Sequence, residues 1–94
     1  MKKNKTALVT GAAARIGATI AQTLHGRGCD VIVHYNSSHE AALQLQKTLN
    51  DLRASSAVVI SADLSTSAGV DHLAEQVRGR CQELDVLVNN ASRF

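Results

Sequence analysis

The sequence predicts an α/β fold, a doubly wound parallel sheet of four strands in the order 3-2-1-4 with a helix between consecutive strands. Three observations predict it. Four short apolar runs are continuous rather than alternating, as strands covered on both faces must be. The runs recur about every 25–30 residues, the length of a β-α unit. The segments between them place apolar residues three or four apart, which makes one sticky face on a helix.

The runs are Thr6-Ala7-Leu8-Val9, Val31-Ile32-Val33, Ala57-Val58-Val59-Ile60 and Val86-Leu87-Val88. The first helical segment carries Ile16, Ile20, Ala21 and Leu24 and stops at Gly26 and Gly28. The second carries Ala42, Leu45, Leu49 and Leu52, and the third Val70, Leu73, Ala74, Val77, Cys81 and Leu84. Ser37-Ser38-His39-Glu40 matches a capping box, with Ser37 as N-cap and Glu40 reaching back. Alternation of this kind demands right-handed crossovers and puts a topological switch point between the first and fourth strands.

Composition narrows the function. The 94 residues suffice for one small domain. Aromatic residues are 2% of the chain, so the core must be built from Val, Ile, Leu and Ala. A net charge of +2, much of it from Lys2, Lys3 and Lys5 at a solvated terminus, gives no case for nucleic acid or an acidic membrane surface as partner. No apolar stretch approaches the length of a membrane span or a signal-peptide core. Cys29 and Cys81 lack disulfide or metal spacing, which fits a reduced, cytoplasmic setting. His25 and His72 lie near polar neighbours and are expected to be solvated.

In open α/β sheets, ligands bind beyond the carboxyl ends of the strands, and each strand end here carries a polar or glycine-rich signal. After the first come Thr10-Gly11-Ala12-Ala13-Ala14-Arg15-Ile16-Gly17. Small residues let the backbone turn closely against a pyrophosphate, and the next helix offers free N–H groups; a plain glycine turn is the other use of such a segment. After the second come His34-Tyr35-Asn36-Ser37-Ser38. An acid here would bind ribose hydroxyls and select NAD. None is present, and Ser37 and Ser38 at a helix N-terminus suit a 2′-phosphate, with capping by Ser37 compatible with that role. His39 follows, within possible reach of that phosphate. After the third come Ser61-Ala62-Asp63-Leu64. Asp63 can accept from an adenine amino group with Leu64 against the ring, although taken alone an Asp here is more often an N-cap. After the fourth come Asn89-Asn90-Ala91-Ser92, whose amides can bridge neighbouring strands, or which can form a tight turn.

Together these segments resemble the short-chain dehydrogenase/reductase family. Thr10-Gly11…Gly17 is similar to its TGxxxGxG motif, Asp63 to its adenine-side Asp, and Asn89-Asn90-Ala91 to its NNAG. Arg15 replaces the middle glycine of the first motif and Ser92 the glycine of the last. Both departures, with His34-Tyr35-x-x-Ser38, resemble the pteridine reductase branch. The resemblance implies a Rossmann-like, NADP-binding domain over residues 1–94. The implied cofactor is NADPH, held by Gly11, Arg15, Ile16, Gly17, His34, Tyr35, Asn36, Ser37, Ser38, Asp63, Leu64, Asn90, Ala91 and Ser92. It also implies a pterin or folate substrate against Arg15, Ser92 and Phe94. Arg15 would reach pyrophosphate and pterin, Ser38 the 2′-phosphate, and Phe94 would stack on the pterin ring. The parent is expected to be a homotetramer.

The family's Tyr-x-x-x-Lys pair is absent, as is its catalytic Ser or Asp. Tyr35, the single tyrosine, has His39 four residues on. The chain is therefore expected to be a fragment of a longer reductase, to supply cofactor binding, and to have no catalytic residue and no turnover of its own. Two alternatives stand beside pterin reduction: a family member acting on a 3-oxoacyl or sugar carbonyl, and a non-catalytic nucleotide-binding remnant.

Overall fold

A computed structural model describes residues 4–13 and 15–91. The element order is β1 (Thr6–Val9), α1 (Arg15–Gly26), β2 (Asp30–Tyr35), α2 (His39–Leu52), β3 (Ala57–Ser61), α3 (Ser67–Arg80) and β4 (Val86–Val88). All pairings are parallel and the strand order is β3-β2-β1-β4, as the alternation of runs and helices predicts. The register aligns Ala7 with Val31 and Val86, and Val31 with Ala57.

Side chains alternate across a strand, so each strand feeds two layers. Ala7, Val9, Val31, Val33 and Ala57 meet Ala21 of α1 and Leu45 and Leu49 of α2 on one face. Leu8, Ile32 and Ile60 meet Leu73 and Val77 of α3 on the other. Continuous apolar strands are thus explained by helices on both sides. The α3 layer is thinner, and Leu87 on β4 is 61% exposed.

Several helix positions differ from the periodic expectation. Ile16 is 70% exposed and Leu52 is 73% exposed, while Val70 also faces solvent. His25, expected in solvent, is buried. The reason lies in the placement of α1. Its buried positions are Gly17, Ala21 and His25, four residues apart, so the stripe on the sheet is offset from the one marked by Ile16 and Ile20. Cys81 ends α3 as its C-cap, half-buried against the second layer.

The predicted capping box does not form. Ser38, not Ser37, is the N-cap of α2, and its side chain makes no capping hydrogen bond. Its backbone at φ −86°, ψ 62° is that of an inverse γ-turn, closed by His39 N–H donating to the Ser37 carbonyl at 2.9 Å. The turn takes Ser37 out of capping position. At α3, Thr66 is the cap, accepting from Gly69 N–H at 2.9 Å.

No helix of the described residues is long and apolar enough to cross a membrane. Among the same residues, no group of three or more His, Cys, Asp and Glu side chains could hold a metal ion.

Candidate functional site

The carboxyl ends of the strands open into a cleft of about 940 Å³. Its walls are the β1–α1 turn with Gly11, Ala13, Arg15 and Ile16, and the β2–α2 segment from His34 to Ser38. Asp63, Leu64 and Ser65 after β3, and Asn89, Asn90 and Ala91 after β4, complete them.

The β1–α1 turn is built around close backbone approach. Gly11 sits at φ +62°, and a Cβ there would lie 3.0 Å from Ala91 Cα. Gly17 is buried on α1 beneath the turn rather than lining the cleft. A Cβ on it would collide with the Gly11 carbonyl and sit 2.7 Å from Asn90 Nδ2. Arg15 has φ +56°, a left-handed conformation that glycine adopts at no steric cost, and its side chain is exposed at the cleft. Strain of this kind persists only where the surroundings over-determine it.

The β4 segment is sewn to this turn. Thr10, 4% exposed, accepts at Oγ1 from Asn90 N–H at 2.9 Å and Ala91 N–H at 3.0 Å. Asn90 Nδ2 donates to the Gly11 carbonyl at 3.1 Å. The amides after β4 do bridge neighbouring strands, with Thr10 as the joint.

On the opposite wall, Asp63 Oδ1 accepts from Ser65 N–H at 3.0 Å and Ser65 Oγ at 2.6 Å, an Asx turn. With Thr66 capping α3, Asp63 is an exposed rim residue rather than an N-cap. Tyr35 is buried against Ala13 and Ala42, and its hydroxyl pairs with His39 Nδ1 at 2.6 Å. Ser37 and Ser38 stand exposed at the N-terminus of α2, where its N–H groups and positive dipole end point at the cleft.

A family model described as short chain dehydrogenase matches residues 5–93. The chain belongs to the short chain dehydrogenase family. It is similar to an uncharacterized oxidoreductase, YmfI, of Bacillus subtilis, 39% identical over 96% of this chain and 36% of the relative. It is similar to pteridine reductase 1 of Leishmania tarentolae, 41% identical over 94% of this chain and 36% of the relative. It also resembles the 3-oxoacyl-(acyl-carrier-protein) reductase FabG of Salmonella typhimurium, 35% identical over 95% of this chain and 34% of the relative. The chain spans about a third of the length of these curated relatives.

In this chain, Gly11, Arg15, Ile16, His34, Tyr35, Asn36, Ser37, Ser38, Asp63, Leu64, Asn90 and Ala91 come together around one cleft. Ser92 and Phe94 lie outside the described residues. Sequence reasoning left out Ala13, Ser65 and Asn89 from the walls, and the role of Thr10 as a joint. Ser65 could have been found as the residue two beyond an Asp at a strand end, the spacing of an Asx turn. Thr10 opens the TGxxxGxG-like motif, but nothing local shows its role as a joint, because its partners are about eighty positions away in the chain.

Proposed function

We propose that this chain is the cofactor-binding part of an NADPH-dependent reductase whose substrate is a pterin, dihydropterin or dihydrofolate. The observation that carries the cofactor choice is the second strand end. No acid lines the cleft between His34 and Ser38, and Ser37 and Ser38 stand at a helix N-terminus. The Ser38 side chain is not spent on capping, so its hydroxyl is available to a phosphate. A carboxylate there would repel the 2′-phosphate; the helix end attracts it.

The other walls fit the rest of a dinucleotide. The Gly11 turn offers backbone to a pyrophosphate, Asp63 and Leu64 an acceptor and an apolar face to adenine, and Asn90 and Ala91 room for a ribose. When bound, the cofactor supplies hydride. Arg15, exposed at the cleft, gives directional donors suited to a flat hydrogen-bonding heterocycle and ill suited to an acyl chain. Likeness to pteridine reductase 1 supports that choice, with Ser92 and Phe94 as further substrate contacts. These 94 residues hold no Tyr-x-x-x-Lys pair, so no turnover is expected from them alone. The parent acts in the cytoplasm, as a homotetramer.

The test uses the protein expressed from its complete reading frame. NADPH should bind at least about tenfold tighter than NADH by fluorescence titration. Equal or tighter NADH binding overturns the cofactor reading. NADPH oxidation with a dihydropterin should exceed that with an acetoacetyl thioester; the reverse order moves the protein to the 3-oxoacyl reductases.

A further inference from the structure

One side chain ties two walls of the cleft together. Gly11 N–H donates to His34 Nδ1 at 3.0 Å, and Ala12 N–H donates to the His34 carbonyl at 2.9 Å. At the far edge of the ring, Nε2 lies 2.9 Å from the Ala62 carbonyl oxygen. A backbone N–H can only donate and a carbonyl can only accept. The ring is therefore neutral, with its hydrogen on Nε2, and both nitrogens are used inside the protein. His34 is 2% exposed, so water cannot stand in for either partner.

The bonds matter because of what they hold. Gly11 has no side chain to anchor it, and its φ of +62° lets the turn approach Ala91 closely. Its position depends on backbone hydrogen bonds, and His34 receives those of both Gly11 and Ala12. Ala62 directly precedes Asp63, the rim residue on the other wall. A rigid imidazole spans the gap between the two.

We infer that His34 is a positioning residue. Its ring sets the spacing between the Gly11 turn and the Asp63 loop, and so between the pyrophosphate and adenine ends of the cofactor, without a hydrogen bond to the ligand. The inference rests on the dinucleotide reading above and replaces direct contact by His34 with a supporting role. A ligand that spans both walls needs the spacing. A ligand confined to the adenine wall and the α2 N-terminus, such as adenosine 2′-monophosphate, does not.

The test is a binding titration on the protein from its complete reading frame, with NADPH and adenosine 2′-monophosphate as probes. His34→Leu should weaken NADPH by about tenfold or more and leave adenosine 2′-monophosphate within about threefold of wild type. His34→Asn, which keeps an acceptor near the Nδ1 position, should recover part of the NADPH loss. Parallel loss of both probes, or unchanged NADPH affinity in folded His34→Leu, overturns the inference. If the Leu variant does not fold, the Asn variant and the wild-type imidazole nitrogen spectrum decide. A hydrogen on Nδ1 rather than Nε2, or an Asn variant that weakens both probes alike, overturns it. Wild-type protein that binds neither probe removes the dinucleotide reading and the inference with it. Wild-type binding with an indifferent His34 removes the inference alone.

Discussion

The two ends of the sheet each bury a histidine, and they use it differently. At the amino end, His25 Nε2 lies 2.6 Å from Ser56 Oγ, which lies 2.5 Å from the Arg53 carbonyl. The hydroxyl has one hydrogen, which goes to that carbonyl, so His25 donates through Nε2. Asn50 accepts at Oδ1 from Ser56 N–H at 2.8 Å and Ala57 N–H at 2.9 Å, and donates to the Ala57 carbonyl at 3.0 Å. Arg53 donates to the carbonyls of His25 at 3.2 Å and Cys29 at 2.6 Å. This end joins the ends of α1 and α2 to the starts of β2 and β3 beside a smaller cavity of about 230 Å³, with Arg53 Nε buried and without a partner among the described residues. At the carboxyl end, polar and strained groups face a cleft. Arg15 keeps a left-handed backbone beside that cleft, as Ser55 does at the amino end, and Ser38 has an uncommitted cap position. His34 is satisfied within the protein as His25 is, but it ties together two walls of an opening, while the exposed Arg15 and Ser38 face that opening.

The comparison can be broken or sharpened by substitution. The largest effect is expected at Gly17→Ala. A Cβ there collides with the Gly11 carbonyl and reaches 2.9 Å from Ala12 Cα. About 3 kcal/mol of stability should be lost, together with dinucleotide binding, as read by urea unfolding and titration. Asn50→Ala should cost a similar or slightly smaller amount, about 2–3 kcal/mol, because buried backbone groups lose their partner. NADPH affinity should stay within about twofold of wild type. A large loss of affinity would mean that the two ends are coupled and the contrast is false.

Arg15→Gly should separate function from stability. Glycine relieves the left-handed strain at φ +56°, so stability should hold or rise by up to about 1 kcal/mol. NADPH binding should weaken by about tenfold, measured by the same titration.

Next in size is a pH effect confined to the amino end. Burial, then the charge of Arg53, lowers the His25 pKa from its usual value, with Asp30 opposing. The folded state keeps His25 neutral while the unfolded chain takes up a proton near pH 6.5. The unfolded state then binds more protons, so stability falls as pH drops below about 6.5 and levels off below the folded-state value. Unfolding curves across that window should show the slope, and His25→Gln should flatten it. Smallest is Lys47→Ala. Its 2.9 Å ion pair with Asp51 is exposed on both sides and belongs to neither end, so the change should be under about 0.5 kcal/mol.

Much of the fold was legible because buried parallel strands leave a local mark. The runs at Thr6–Val9 and Val86–Val88 coincide with β1 and β4, while β2 begins one residue before its run and ends two after it, and β3 ends one residue after its run. The walls of the cleft were legible for a related reason. Topology dictates that ligands meet strand ends, so polar residues after each run are marked in advance. The roles within the walls were less so. His34 reads as a ligand contact from its position, yet both ring nitrogens are taken by Gly11 and Ala62. His25 reads as solvated, yet α1 turns it inward.

By itself, the sequence determined the order of elements, the parallel sheet and the set of loops that share one end, because hydrophobic periodicity and connection rules are local properties of the chain. Only the tertiary structure decided which face of α1 is buried, where α2 begins, and which distant groups meet at Thr10, His34 and Ser56. Those outcomes depend on how a helix sits on the sheet and on hydrogen bonds between residues far apart in the chain. No local pattern records them.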